Sequence, residues 1–174
     1  MTRRTRGQGS RGATMLEMVM VGIPMIFMLI CIFEISRGMW VYTTEAYAAR
    51  EGVRYVIVHG ASCIPTMYNV NNCPATVGDV AWIVWQAGVG LDPATTTMTL
   101  TAGDGTVASC TTLSACMAIT TQWPPSTSNL AGNPVRIDIA TPFRSALGMF
   151  WPGSSPVPFS PVSFGASSTD YIQF

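Results

Sequence analysis

The sequence predicts an α+β fold. A long N-terminal helix, transmembrane in its first half, extends into a small extracytoplasmic domain with a second helix and an antiparallel sheet of about four strands. Three observations carry this expectation. From Met18 to Phe33 there is no charged or strongly polar side chain; with Ala13 to Leu16 added, the run approaches the roughly 20 residues that cross a hydrocarbon core of about 30 Å. Helical spacing of apolar residues then continues to about Val58. Beyond it come threonine-rich and alternating segments divided by Gly and Pro, so helices precede strands.

The totals agree. The 174 residues suffice for one membrane segment and one modest domain, and they are 48% hydrophobic and only 10% charged, with zero net charge. There is no lysine, and Arg3, Arg4, Arg6 and Arg11 all precede Glu17, the first acidic residue. A neutral chain without a basic face gives no support for nucleic-acid binding. The arginine cluster orients the membrane segment, keeping residues 1–11 cytoplasmic and everything after Phe33 outside. The predicted organisation is a basic leader over 1–12, a long helix over 13–59 that spans the membrane at about 15–34, and a disulfide-braced extracytoplasmic domain over 60–174. Cys31 lies in the apolar run. Cys63, Cys73, Cys110 and Cys116 lie beyond it, where two disulfides fit; three pairings exist, and proximity favours Cys63–Cys73 and Cys110–Cys116.

The elements follow in order. Pro24 falls inside the apolar run and predicts a kink near Met20 to Pro24. Ile35, Met39, Tyr42, Ala46, Ala49, Val53 and Val56 alternate spacings of four and three and form one helical seam. Glu34, Arg37, Glu45, Arg50, Glu51 and Arg54 fall off it, with Glu34–Arg37 and Glu51–Arg54 at i, i+3. His59-Gly60 ends this helix, and a turn-rich loop runs from Cys63 to Pro74. Thr76 with Asp79 reads as a capping box opening a helix over Val77–Ala87, with Val80, Ile83, Val84 and Ala87 buried and Gly88 and Gly90 stopping it. Thr95–Thr101 and Thr106–Cys110 flank Gly103-Asp104-Gly105 as a hairpin. Met117–Trp123 is a further strand candidate, Val135–Ile139 alternates with period two, Phe143–Ser160 reads as loop, and Val162–Ile172 supplies the last strand.

Arg11-Gly12, then Ala13-Thr14-Met15-Leu16 and Glu17, resembles the processing signature of type IV prepilins. Ala48-Ala49-Arg50-Glu51-Gly52-Val53-Arg54-Tyr55 is similar to the long helix of TadE-like proteins, minor pseudopilins of the bacterial tight-adherence (Tad, or Flp) pilus. The resemblance covers roughly residues 10–60. It implies cleavage between Gly12 and Ala13 by a membrane aspartyl prepilin peptidase at the cytoplasmic face. A glycine there lets catalytic groups approach the backbone. It also implies that Glu17, costly at the head of an apolar span unless paired or hydrated, pairs with the new α-amine of a neighbouring subunit. The implied partners are the inner membrane, the prepilin peptidase, other pilins or pseudopilins and the Tad assembly platform, with the C-terminal domain in the periplasm or the pilus.

Plainer readings stand beside these. Glu17 also has a plainer reading, as a flanking charge in the headgroup layer, which ranks behind the pairing role. A passive anchor presenting a binding or adhesin-like module, with its leader retained, requires neither Glu17 nor the helical seam. Ala46-Tyr47-Ala48 fits a signal-peptidase site but lies too far beyond Phe33. His59 is the only histidine and suits a helix end. With one histidine and no Cys-x-x-Cys spacing, neither a metal site nor another cofactor is expected. No nucleophile elbow, phosphate loop or pair of nearby acids appears, so no enzyme is expected. Asp79, Asp92 and Asp104 read as caps or turns, and Trp82, Trp85, Trp123 and Trp151 as packing residues.

Overall fold

The apolar run and the residues after it form one helix, α1 (Ser10–Ile57), in a computed structural model that describes residues 10–60, 73–145 and 162–173. Its 48 residues rise about 72 Å at 1.5 Å each. Pro24 lies inside α1, and the helix continues through it. The chain divides into two units between Arg37 and Gly38. In the first, Met15, Leu16, Met18, Val19, Met20, Phe27 and Phe33 are all more than half exposed. By length and composition α1 is able to cross a membrane.

In the second unit the remaining elements are α2 (Val77–Ala87), β1 (Thr97–Ala102), β2 (Val107–Cys110), α3 (Leu113–Met117), β3 (Pro134–Phe143) and β4 (Val162–Tyr171). The strands form one antiparallel sheet in the order β2-β1-β3-β4, so the expected α+β fold with four strands is what the chain adopts. Alternation gives the sheet two faces. Met98, Leu100 and Ala102 of β1 and Val135, Ile137 and Ile139 of β3 are buried with Val80 and Val84 of α2 and Ala48, Ala49, Val53 and Val56 of α1. Thr97, Thr99 and Thr101 of β1 and Arg136 and Asp138 of β3 occupy the other face, where the Arg136 guanidinium meets Asp138 at 2.7 Å. Pro134 and Pro142 lie just outside the 135–140 stretch that pairs with β1, where a missing N–H breaks no bond to that strand.

The capping box is present. Asp79 N–H donates to Thr76 Oγ1 (3.2 Å) and Thr76 N–H to Asp79 Oδ2 (3.0 Å). At the other end Gly88 caps α2 and Gly90 takes φ +91°. The hairpin turns through Gly105 at φ +82°, its N–H donating to the Ala102 carbonyl at 2.9 Å. The last described residues bind back into the domain: Ile172 N–H donates to Asn133 O (2.9 Å) and Gln173 N–H to Ile57 O (3.0 Å).

Three expectations give way. Met117–Trp123 is not a strand of the sheet. Met117 ends α3, and the residues after it pair with the start of α2 instead. Gly78 N–H donates to Ile119 O (2.9 Å), Val77 N–H to Thr121 O (3.0 Å) and Trp123 N–H to Ala75 O (2.9 Å). The first N–H groups of a helix have no intrahelical partner, and these carbonyls supply one. Gly78 admits the segment: a Cβ there would stand 2.8 Å from Met117 O. Second, β3 extends to Phe143, whose ring packs on Phe164 of β4 at 5.2 Å between centroids. Third, the seam of α1 divides. Ala49, Val53 and Val56 are buried, whereas Ile35, Met39 and Tyr42 are 66, 59 and 49% exposed. The buried line instead runs through Gly38, Glu45, Ala48, Ala49, Gly52 and Val53.

Candidate functional site

The residues singled out for processing sit on the first turns of α1. The helix starts at Ser10, so the Gly12–Ala13 bond lies within its first turn and not at a boundary. A Cβ on Gly12 would meet nothing within 4 Å. Glu17 is exposed and follows Ala13 by four residues, which sets both on one side of the helix. Its neighbours Leu16 and Met18 are 65 and 78% exposed. A carboxylate among exposed apolar side chains has a strong preference for a cationic partner once water is withdrawn.

The second half of α1 is built to be approached closely. Ala48 and Ala49 have no exposed surface, and a Cβ on Gly52 would stand 2.7 Å from Val84 Cγ2 and 3.0 Å from Ile137 Cδ1. A Cβ on Gly38 would touch the Phe164 ring at 3.4 Å. Small residues thus bring the helix backbone against α2, β3 and β4. Arg50 and Arg54 stay outside, both exposed, and Arg54 meets Glu51 at 2.8 Å. The other i, i+3 pair, Glu34–Arg37, closes at 3.4 Å.

Residues 12–54 match the family model for TadE-like proteins. The matched stretch lies wholly within α1. The match opens on Gly12, takes in Glu17 and the apolar run, and ends within the Ala48–Tyr55 stretch. No curated protein and no solved structure matches the chain.

Glu45 of α1 escaped the sequence reading. Glu45, placed off the seam by spacing, is fully buried. Neither carboxylate oxygen has a hydrogen-bond partner among the described residues. Burial pushes its pKa up, and the Thr141 hydroxyl and amide pull it the other way more weakly. The Thr141 hydroxyl is itself shared with Thr96 Oγ1 at 3.0 Å, also buried. A carboxyl inside a helical seam carries no signal in periodicity that separates it from an exposed one. His59, by contrast, behaves as a helix-end group, with Nδ1 2.6 Å from the Tyr55 carbonyl and its ring stacked on Tyr55.

Cys110 and Cys116 form a disulfide with Cα atoms 5.5 Å apart, joining β2 to α3. Cys73 is disulfide-bonded as well, while Cys63 lies outside the described residues. Cys31 is a free, exposed thiol. Asp92 and Asp104 hold turns: Asp92 accepts from Ala94 N–H, Asp104 from Thr106 N–H (both 2.9 Å) and from the Thr127 hydroxyl (2.6 Å). The Thr127 hydroxyl, and after it the Thr106 amide, push the Asp104 carboxyl down to about 2 from an ordinary 3.8. A depressed carboxylate adds stability above its unfolded pKa and loses it as pH falls through the folded one. Denaturation followed by circular dichroism should therefore show wild type losing stability between those two values. Asp104→Asn should flatten that part of the profile; an unchanged slope would remove Asp104 as its source.

Two hollows open on the sheet. One, about 240 Å³, is lined by Thr97, Thr99, Asp138 and Ser167; the other, about 410 Å³, lies beside β2 and is lined by Val107, Ile119, Gln122 and Trp123. Asp138 is the sole titratable side chain lining either, and Arg136 already clamps it at 2.7–2.9 Å. Among the described residues no group of three His, Cys, Asp or Glu could hold a metal ion. Trp123 is buried as expected, but Trp82 and Trp85 are 47 and 38% exposed; Trp151 lies outside the described residues. The packing role expected of Trp82 and Trp85 is therefore only partly met, because the buried side of α2 falls on Val77, Val80, Ala81 and Val84.

Proposed function

We propose that the protein is a minor pseudopilin of a Tad/Flp-type pilus. Its leader stays in the cytoplasm, a prepilin peptidase cuts after Gly12, and the trimmed subunit joins other pilins or pseudopilins and the Tad assembly platform from the inner membrane, supporting pilus assembly, adhesion or secretion. The protein is a substrate of this chemistry and performs none itself. The observation that carries the reading is the TadE-like match over residues 12–54, opening on the glycine at the proposed cut. Two features of α1 support it. Glu17 offers an anionic partner for the α-amine that cutting would expose on Ala13 of a neighbouring subunit. Ile35, Met39 and Tyr42 form an exposed apolar line suited to packing against a second helix.

Mass spectrometry of the protein from its host tests this. The mature chain should begin at Ala13. Gly12→Ala should keep the leader, whereas Glu17→Ala should be trimmed normally and fail to enter or support the pilus. An intact leader on membrane-resident protein, with peptidase present, would overturn the proposal in favour of a tethered binding module.

A further inference from the structure

Strand β2 is an edge of the sheet, and the hollow of about 410 Å³ lies beside it, within the unit that begins at Gly38. The register decides which backbone groups of β2 turn outward. Ala102 N–H donates to Thr106 O at 2.9 Å, so these two are a hydrogen-bonded pair, and Leu100–Ala108 and Met98–Cys110 continue the series. The alternate residues, Val107 and Ser109, therefore turn N–H and C=O away from β1, to the open flank. The other wall of the hollow is extended chain. Gln122 bridges Thr76 while its neighbours Thr121 and Trp123 make the bonds to Val77 and Ala75, so the Gln122 N–H and C=O point away from that pairing. The two walls are fastened at both ends. The Cys110–Cys116 disulfide, with Ile119 N–H donating to Cys116 O (3.0 Å), ties one end; the Thr127 hydroxyl on Asp104 (2.6 Å) ties the other. Trp123, in the second wall, is 2% exposed, and its Nε1–H has no acceptor among the described residues.

We infer that this slot between β2 and the 119–125 segment receives an extended, uncharged segment of another polypeptide, which adds to the sheet as a strand beside β2. Unpaired N–H and C=O groups along an edge are a template for backbone, and main-chain bonds supply the affinity in such additions. A frame tied at both ends is already open, so little ordering cost falls on binding. The lining selects against charge: no titratable side chain faces the slot, and a charged strand would lose water without gaining a partner. Val107, Ile119 and Trp123 suit β-branched and apolar side chains instead. A second copy does not supply the strand from its described sheet. The slot has two walls, so its occupant must be free on both flanks, and β1 to β4 are each paired on at least one. The inference stands apart from the pilus reading, since no residue of 12–54 takes part.

The test is residue-resolved amide exchange on the full-length protein in detergent micelles. Alone, the Val107 and Ser109 amides should exchange several-fold faster than those of Ala108 and Cys110, which bond to β1. The probe is the uncharged peptide acetyl-Thr-Val-Thr-Val-Thr-amide at millimolar concentration. It should slow Val107, Ser109 and Gln122 several-fold and leave β4, the other edge, unchanged. The same peptide with every amide N-methylated keeps the side chains, loses the donors and should have no effect. Ser109→Pro removes one outward N–H without breaking a bond to β1. It should abolish the slowing at Val107 while Ala108 and Cys110 stay protected; if that variant unfolds, the N-methylated comparison decides. Val107 and Ser109 already slow without peptide would mean that the edge is covered, which overturns the inference. So would no slowing by the peptide, equal slowing by its methylated form, or undiminished slowing in a folded Ser109→Pro variant.

Discussion

Gly52→Val should destabilise the unit that begins at Gly38 by about 3 kcal/mol, the upper part of the range for forcing atoms into a filled core. The first added carbon would stand 2.7 Å from Val84 Cγ2 and 3.0 Å from Ile137 Cδ1, both on buried residues. Neither neighbour is the end of a long flexible side chain, so α1 must move away from α2 and β3. Gly52→Ala brings the same first clash but recovers roughly 0.5–1 kcal/mol of helix propensity. It should fall between wild type and valine. Urea or thermal unfolding of the detergent-solubilised full-length protein measures both. A valine variant as stable as wild type would mean that α1 is not held at this distance.

Glu45→Gln is expected to act in the opposite direction. The wild-type carboxyl is buried without a hydrogen-bond partner among the described residues, and burial raises its pKa. A group whose folded pKa lies above its unfolded one supports the fold below the unfolded value and loses that support as pH rises through the folded value. At about pH 7 the wild type therefore carries a penalty that glutamine, of similar shape and never charged, does not. Each unit of upward shift corresponds to about 1.4 kcal/mol. The variant should melt several degrees higher at neutral pH and converge with wild type in mild acid. Equal midpoints across the whole range would place the carboxylate in contact with water or a cation.

What the sequence disclosed followed how local each signal is. Thr76 and Asp79 satisfy each other within one turn, so their capping box was readable, as was the period-two alternation in Val135–Ile139. The apolar run and Gly12–Glu17 needed no tertiary information either. Met117–Trp123 misled because extended backbone is decided by what it pairs with, and here the partner is the open end of α2. Glu45 misled for a related reason. A helical seam reports which residues share a side, but the helix has two apolar lines, and only packing against β3 selects between Ile35–Met39–Tyr42 and Gly38–Glu45–Gly52. The short helix α3, stapled by Cys110–Cys116 and capped by Thr112, was too brief for periodicity to register.

The bond from Gln173 to Ile57 and the β3–β4 ladder impose a timetable. A ribosome makes α1 first, and the segment that closes the domain onto the end of that helix emerges more than a hundred residues later. Until residues 162–173 have been translated, β3 has an open flank and the Ile57 carbonyl lacks its donor. The helix is thus complete long before the sheet, and closure of this domain waits on residues 162–173.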